Sequence, residues 1–212
     1  MKHLILDCET MGADILKNDF VVLDFSAFVF DTDKMLSKNP YTTRSIADMK
    51  KFKMSAKDQI ENYKYKVYND TLKFWSEQSK EARAAIAPKS NDLSVDEFTQ
   101  EFMSYVSGSG KISHWWSRSS SFDPLIIWRL MEASNKSAVF SEYLKHWKQR
   151  DIRTFIDAKL NFPKINGFVP IEDEDFWNKV FQPHNSSWDI LADVLRFQAI
   201  LRAEEDLGMV KR

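Results

Sequence analysis

The chain is almost without cysteine: Cys8 is alone among 212 residues. One cysteine excludes a disulfide framework and any cysteine-based structural zinc site. Charge of one sign is missing too. Thirty Lys+Arg stand against 31 Asp+Glu, for a net charge of −1, so there is no globally basic footprint of a protein that coats DNA. No run approaches the ~20 apolar residues of a membrane span. The apolar stretch near the start, Leu4 to Leu6, stops at Asp7 and lacks a signal-peptide core. There is no internal repeat, low-complexity tract or linker. What is present is 43% hydrophobic and 29% charged residues in 24.9 kDa. That is ordinary for a soluble protein with a sizeable core, and it predicts one domain over residues 1–212, without membrane partners, in the cytoplasm. The unusual feature is 14% aromatic residues with seven Trp, several in polar surroundings.

Residues 2–7 (KHLILD) read as a strand, and residues 20–30 (FVVLDFSAFVF) as a second, with turn residues between them that allow antiparallel pairing. Strand character is expected again around Tyr63 to Tyr68 and over residues 111–117. Helices follow elsewhere. Asn69 or Asp70 is a candidate cap for a helix to Glu77, and Pro88 ends the next one. Ser94 with Glu97 forms a capping box before Val95, Phe98, Phe102 and Val106, and Gly108 is a stop. Asp123-Pro124 marks another start, Asp151 a further one, and Ser186 to Leu207 a long final helix. This order predicts an α/β protein with a mixed sheet, its second strand antiparallel, flanked by helices.

Asp7 and Glu9 are two residues apart at the end of the first strand, so both point to one face. Two carboxylates on one face of a central strand are costly unless neutralised, and oxygen-only ligation suits Mg²⁺ or Mn²⁺. The bland alternative is a strand end running into solvent. Cys8 then faces the core, and nothing marks it as a thiolate. Asp123 has a bland reading as a helix cap and Asp189 as the acidic arm of a capping box with Ser186. His184 precedes Asp189 by five residues, about 140° of helical rotation, so both reach one site only if His184 lies in the loop before the helix.

D-x-E-T after a first strand, S-F-D-P at a helix start, then H-x-x-x-x-D before a late helix resembles the DEDDh exonuclease superfamily. The blocks TLKFWSEQSKEARAAIAP, WSRSSSFD and QRDIRTFID are similar to the exonuclease A (DexA) branch of T-even-type phages, whose bacterial relatives are exoribonucleases. The resemblance runs from residue 4 to about 196; residues 31–68 and 158–183 match poorly. It implies a ribonuclease-H-like fold and 3′→5′ removal of nucleoside 5′-monophosphates with two divalent ions, Mg²⁺ or Mn²⁺. Asp7, Glu9, Asp123 and Asp189 are then the metal ligands and His184 the general base, whose ordinary pKa of about 6.5 suits proton abstraction near neutrality. Thr10 and Met11 in LDCETMG and Ser121 are further candidate substrate contacts, and Arg118, just before SSSFD, is a candidate for a phosphate against the commoner fate of a surface ion pair. Trp75, with Phe74, is a candidate for stacking on a terminal base, against an equal case for core packing.

Residues 50–73 carry seven lysines and three acids interleaved with Phe52, Tyr63, Tyr65 and Tyr68, a candidate nucleic-acid strip or an ordinary amphipathic edge. Arg150 and Arg153 flank Asp151 and are read as internal salt bridges, and the acidic run Glu172 to Asp175 as a solvated loop. The expected partner is the 3′ end of a single strand, with DNA or short oligonucleotides first and RNA 3′ tails as the alternative. A homodimer is admitted by analogy, and a phage-encoded chain would work in the host cytoplasm. Two rivals are a haloacid-dehalogenase-like phosphatase, which shares only a superficial likeness in LILDCET, and a non-catalytic nucleic-acid-binding module. Near-neutral charge predicts that without divalent metal the protein binds nucleic acid poorly and cuts none.

Overall fold

The computed structural model describes residues 1–37, 40–160 and 179–206. Five strands form one sheet: β1 (Lys2–Thr10), β2 (Val22–Asp31), β3 (Lys50–Lys53), β4 (His114–Ser117) and β5 (Gln149–Asp151), in the order β3-β2-β1-β4-β5. β2 runs antiparallel to both β1 and β3, while β4 is parallel to β1 and β5 to β4. The helices are α1 (Thr32–Ser37), α2 (Ala56–Tyr63), α3 (Asn69–Glu77), α4 (Lys80–Ile86), α5 (Val95–Gly108), α6 (Asp123–Ala133), α7 (Ser137–Tyr143), α8 (Ile152–Leu160) and α9 (Ser186–Asp206), with short 3₁₀ turns at Thr43–Asp48 and His146–Lys148. The expected mixed α/β sheet with an antiparallel second strand is the observed one. Among the described residues, no helix is long and apolar enough to cross a membrane.

Strand parity sorts β1 into two cores. Leu4, Leu6 and Cys8 join Phe25 and Ala27 of β2 against the buried sides of α5 and α6. Ile5 points the other way, with Phe28 and Phe30, onto Ile190, Val194, Phe197 and Ile200 of α9 and Ile152 and Ile156 of α8. Asp7 and Glu9 share the parity of Ile5. They therefore extend the α9-facing side of the sheet past its apolar part. The predicted capping box at Ser94 and Glu97 is present, and Val95, Phe98, Phe102 and Val106 are all fully buried, about 1.5–3 kcal/mol of transfer energy for each larger side chain. At Gly12 an added Cβ would lie 2.5 Å from Phe20 Cβ, so only glycine lets the β1–β2 connection pass over that ring.

Several local expectations differ. Tyr63 closes α2, and the expected strand at 63–68 is reduced to a single bridge between Lys66 and Phe20. The β-favouring tyrosines instead pack against the core as side chains. Neither Asn69 nor Asp70 caps α3, since both lie inside it and Tyr68 holds the cap position without a side-chain bond. The 111–117 strand is trimmed to His114–Ser117. Arg150 donates to the carbonyls of Trp147 and Gln149 rather than to Asp151, whose carboxylate accepts from Thr154 N. The Glu172–Asp175 run lies outside the described residues.

Candidate active site

At the open end of β1, carboxylate oxygens of Asp7, Glu9 and Asp189 all lie within 4.8 Å of one another. Burial drives the carboxyls of Asp7 and Glu9 well above the usual range, and the neighbouring acids push further: Asp123, Asp189 and Glu9 for Asp7, Asp24 and Asp189 for Glu9. Asp189 is pushed up to about 7 by burial and by Asp193. Lys51 opposes this at Glu9, and Arg118, a backbone hydrogen bond at Asn185 and Arg196 oppose it at Asp189. An under-neutralised set made solely of carboxylate oxygens is the donor chemistry of a hard divalent cation.

Asp123 reaches the same neighbourhood from the opposite side of β1. It is the first residue of α6, so it does not cap that helix as expected; Phe122 occupies the cap position. Instead its Oδ1 accepts from Cys8 N at 3.2 Å and from Cys8 Sγ at 3.2 Å. β4 pairs only with His3 to Ile5, so the amide of Cys8 lies beyond that ladder and is open to a side-chain acceptor. Cys8 is buried as expected, yet it tethers the carboxylate of Asp123 as well as filling space. Burial and Asp123 hold its thiol in the protonated form. The carboxyl of Asp123 rises to about 6, through burial first.

The start of α9 is anchored by groups the sequence reading missed. Ser186 hydroxyl donates to Asp24 Oδ1 at 2.6 Å, and Ser26 hydroxyl lies 2.7 Å from those of both Ser186 and Ser187. Ser186 is thus turned into the sheet and does not form the expected capping box; the side chain of Asn185 accepts from Ser187 N. Asp24 pairs across from Glu9 in the β1–β2 register and bonds ionically to Lys51 at 3.0 Å. One turn beyond Asp189, buried Asp193 is held by Arg118 at 2.9 Å and Arg196 at 3.1 Å. The available signals were an aspartate inside the apolar run of β2 and an i, i+4 acid pair on α9.

His184 lies in the loop before α9, as required, in the left-handed region at φ 59°. Its ring meets Phe74 edge-on at 4.9 Å and Trp75 at 6.3 Å. Burial alone lowers its pKa, which keeps the imidazole in its proton-accepting form. Trp75 is not a stacking surface. It is 5% exposed in a core with Val21 and Leu23, and its Nε1 donates to Thr10 O at 2.9 Å. Phe74, 39% exposed on the same helix, is the ring that remains open.

The remaining substrate expectations divide. Arg118 pairs with Asp193, the commoner of its two expected fates, though at a buried carboxylate and not at the surface. Thr10 is buried, its hydroxyl donating to Gly12 O at 2.7 Å, and Met11 packs beside Trp75. Ser121 is exposed on the loop before α6. The lysine strip is largely spent internally: Lys50 pairs with Glu101, Lys51 with Asp24 and Lys66 with Asp19, while Lys53 donates to main-chain carbonyls.

Comparison with known proteins gives the family and the fold. The family model of the Rv2179c-like 3′-5′ exoribonuclease domain matches residues 2–185. An exodeoxyribonuclease of Enterobacteria phage T4 is 27% identical over 227 residues, covering 95% of this chain and 90% of that protein. Among solved structures, Escherichia coli exonuclease I in complex with a dT13 oligonucleotide superposes with a TM-score of 0.61 at 14% identity, over 98% of this chain and 42% of that one. Exonuclease I from Methylocaldum szegediense gives 0.56 at 14% identity, over 98% and 41%. At that identity the likeness is one of fold, and the chain spans about two-fifths of those longer proteins. With its motifs, its mixed sheet and the family match in agreement, the chain belongs to the Rv2179c-like 3′-5′ exoribonuclease domain family and is a 3′→5′ exonuclease.

Proposed function

We propose that the chain is a single-domain, metal-dependent exonuclease that releases nucleoside 5′-monophosphates from the 3′ end of single-stranded DNA or short oligonucleotides. The observation that carries this is the convergence of Asp7, Glu9 and Asp189 on one small volume with too little positive charge to balance them. Those three, with Asp123, would hold two divalent ions, Mg²⁺ or Mn²⁺, which when bound stabilise the attacking and leaving oxygens of an in-line displacement. Cys8 fixes Asp123 through two contacts, and the Asp24–Ser186 bond fixes the start of α9 and hence Asp189. His184, neutral at working pH, accepts the proton of the attacking water at an imidazole nitrogen. Its seat against Phe74 places it beside an open aromatic surface suited to the terminal base.

The sugar is the open choice between two relatives. The phage T4 protein is named an exodeoxyribonuclease, and its similarity extends over nearly the whole of both chains, which favours DNA. The family description names an exoribonuclease, which supports RNA 3′ tails as the second reading. Matched DNA and RNA oligomers, each labelled at the 5′ end and incubated with Mg²⁺ or Mn²⁺, decide between them. Stepwise shortening is expected in both, faster for DNA. RNA shortened at least tenfold faster reverses the assignment, and an intact oligomer of either kind with metal present removes the proposed activity.

A further inference from the structure

Beside the first two turns of α6 lies a cavity of about 430 Å³ whose walls include Pro124, Leu125, Trp128, Phe140, Lys145 and Trp147. Its rim follows directly on the third-carboxylate motif, since Pro124 and Leu125 are the two residues after Asp123. Its aromatic surface is open: Trp147 is 60% exposed and Trp128 41%, with Trp128 braced against Phe140 at 6.0 Å between ring centres. Lys145 Nζ stands 5.0 Å over the Trp147 ring. The segment Lys145–Arg150 (KHWKQR) contains three formal positive charges and no acid. Among the described residues, Lys148 and Arg150 give their hydrogen bonds to main-chain carbonyls, and none of the three cations pairs with a carboxylate. Scattered surface tryptophans need no explanation. Two that share one concave site with unpaired cations have the makeup of a stacking platform beside a phosphate track.

We propose that this pocket is a second nucleobase site, which stacks a base of the substrate strand between Trp128 and Trp147 and draws an adjacent phosphate to Lys145. The inference rests on the reading of the chain as a single-strand exonuclease, and polarity then follows. An enzyme that removes the 3′-terminal residue has nothing of the strand beyond that residue. The open aromatic surface for the terminal base, Phe74 with His184, adjoins Trp75 and the start of β2, whereas the pocket borders β4 and β5. A base held in the pocket therefore lies on the 5′ side of the scissile phosphate. Its consequence is a dependence on substrate length that the terminal site alone does not create.

The test compares Trp147→Ala with the wild-type chain on oligomers of two and of eight nucleotides, in the sugar that the wild type degrades faster. Trp147 is exposed enough for its removal to leave the fold intact. The expected result is a rise in KM of about 5- to 30-fold on the longer oligomer, the loss of one base–aromatic stack, with kcat unchanged and KM on the dinucleotide unaltered. Lys145→Met is expected to raise the same KM less and to flatten its dependence on salt. An unchanged KM on the longer oligomer overturns the proposal, as does an equal rise on both lengths. So does conversion of a dimer to a monomer by Trp147→Ala without any effect of length, which would make the pocket an interface between two copies. If the wild-type chain shortens neither oligomer, the exonuclease reading itself has failed, and the pocket proposal falls with it.

Discussion

The two ends of β1, on the face that meets α9, bury titratable groups in opposite ways. At one end His3, 5% exposed, is stacked on Phe30 and on His114, each at 5.4 Å, and accepts a hydrogen bond from Trp116 Nε1 at 3.1 Å. Burial and His114 lower its pKa to about 4, so the ring is neutral and serves as packing. At the other end Asp7, Glu9 and Asp189 crowd together, and burial raises all three. One strand thus carries a buried histidine held neutral by packing and stacking, and a group of carboxylates whose charge the fold does not balance. Without a cation those carboxylates lean to their protonated form. The difference separates architecture from chemistry, because a set of charges left unbalanced awaits a ligand.

The largest expected effect comes from breaking the acid end. Asp7→Asn is expected to lower turnover on the order of 10³-fold or more, the several kcal/mol that metal-assisted charge stabilisation contributes. Without divalent ions at pH 8 the same variant is expected to melt no lower than wild type, because a repelling charge has gone. Its Mg²⁺-induced rise in Tm should fall by at least half. Retained turnover, or a full metal-induced rise, would remove Asp7 from the site.

His184→Ala should reduce kcat roughly 10²- to 10³-fold, within the range for a general base, while leaving the metal-induced rise in Tm intact. The pair of variants separates proton transfer from cation holding. Loss of the metal effect in His184→Ala would show that the residue acts by supporting the acid cluster.

Much of this contrast was legible in the chain itself. Asp7 and Glu9 stood out because period-two geometry puts them on one face, and the HNSSWD stretch placed His184 outside α9. The misreadings share one cause, partners distant in sequence. Lys51 looks like part of a basic strip until β2 brings Asp24 to 3.0 Å, and Lys50 until α5 supplies Glu101. Trp75 and Phe74 are adjacent, and only the packing of Val21 and Leu23 decides which ring is buried. Asp123 carries a helix-start signal that is correct for α6, while its hydrogen bonds go to Cys8, 115 residues away.

A smaller effect should appear in the pH dependence of cation binding. Asp189 carries a folded pKa of about 7, well above its unfolded value, so in the metal-free protein the folded state takes up its proton first and this group favours folding as pH falls below 7. A divalent cation must displace that proton. Measured by thermal or denaturant unfolding, a cation present at 100 times its Kd at pH 8 stabilises by about 2.7 kcal/mol. At pH 5.5 and the same concentration the gain should shrink below about 1 kcal/mol. A gain independent of pH would mean that the cation does not bind at these carboxylates.

The smallest effect belongs to the neutral end and has the opposite sign. The folded pKa of His3 lies near 4 against an unfolded value of 6.5, so above pH 6.5 neither state is charged there and the group is indifferent. As pH falls from 6.5 toward 4 the unfolded chain takes up a proton that the folded chain refuses, and stability is lost, on the order of 2 kcal/mol by pH 5. His3→Phe keeps a ring between Phe30 and His114 and removes the titration, at the cost of the bond from Trp116. The difference in unfolding free energy between the two proteins cancels the carboxylates, which both retain. It should be constant above pH 6.5 and shift in favour of His3→Phe below it. A difference that stays flat down to pH 4 would mean that His3 takes up its proton in the folded state, and the two ends of β1 would then differ in the sign of their charge and no longer in whether charge is left unbalanced.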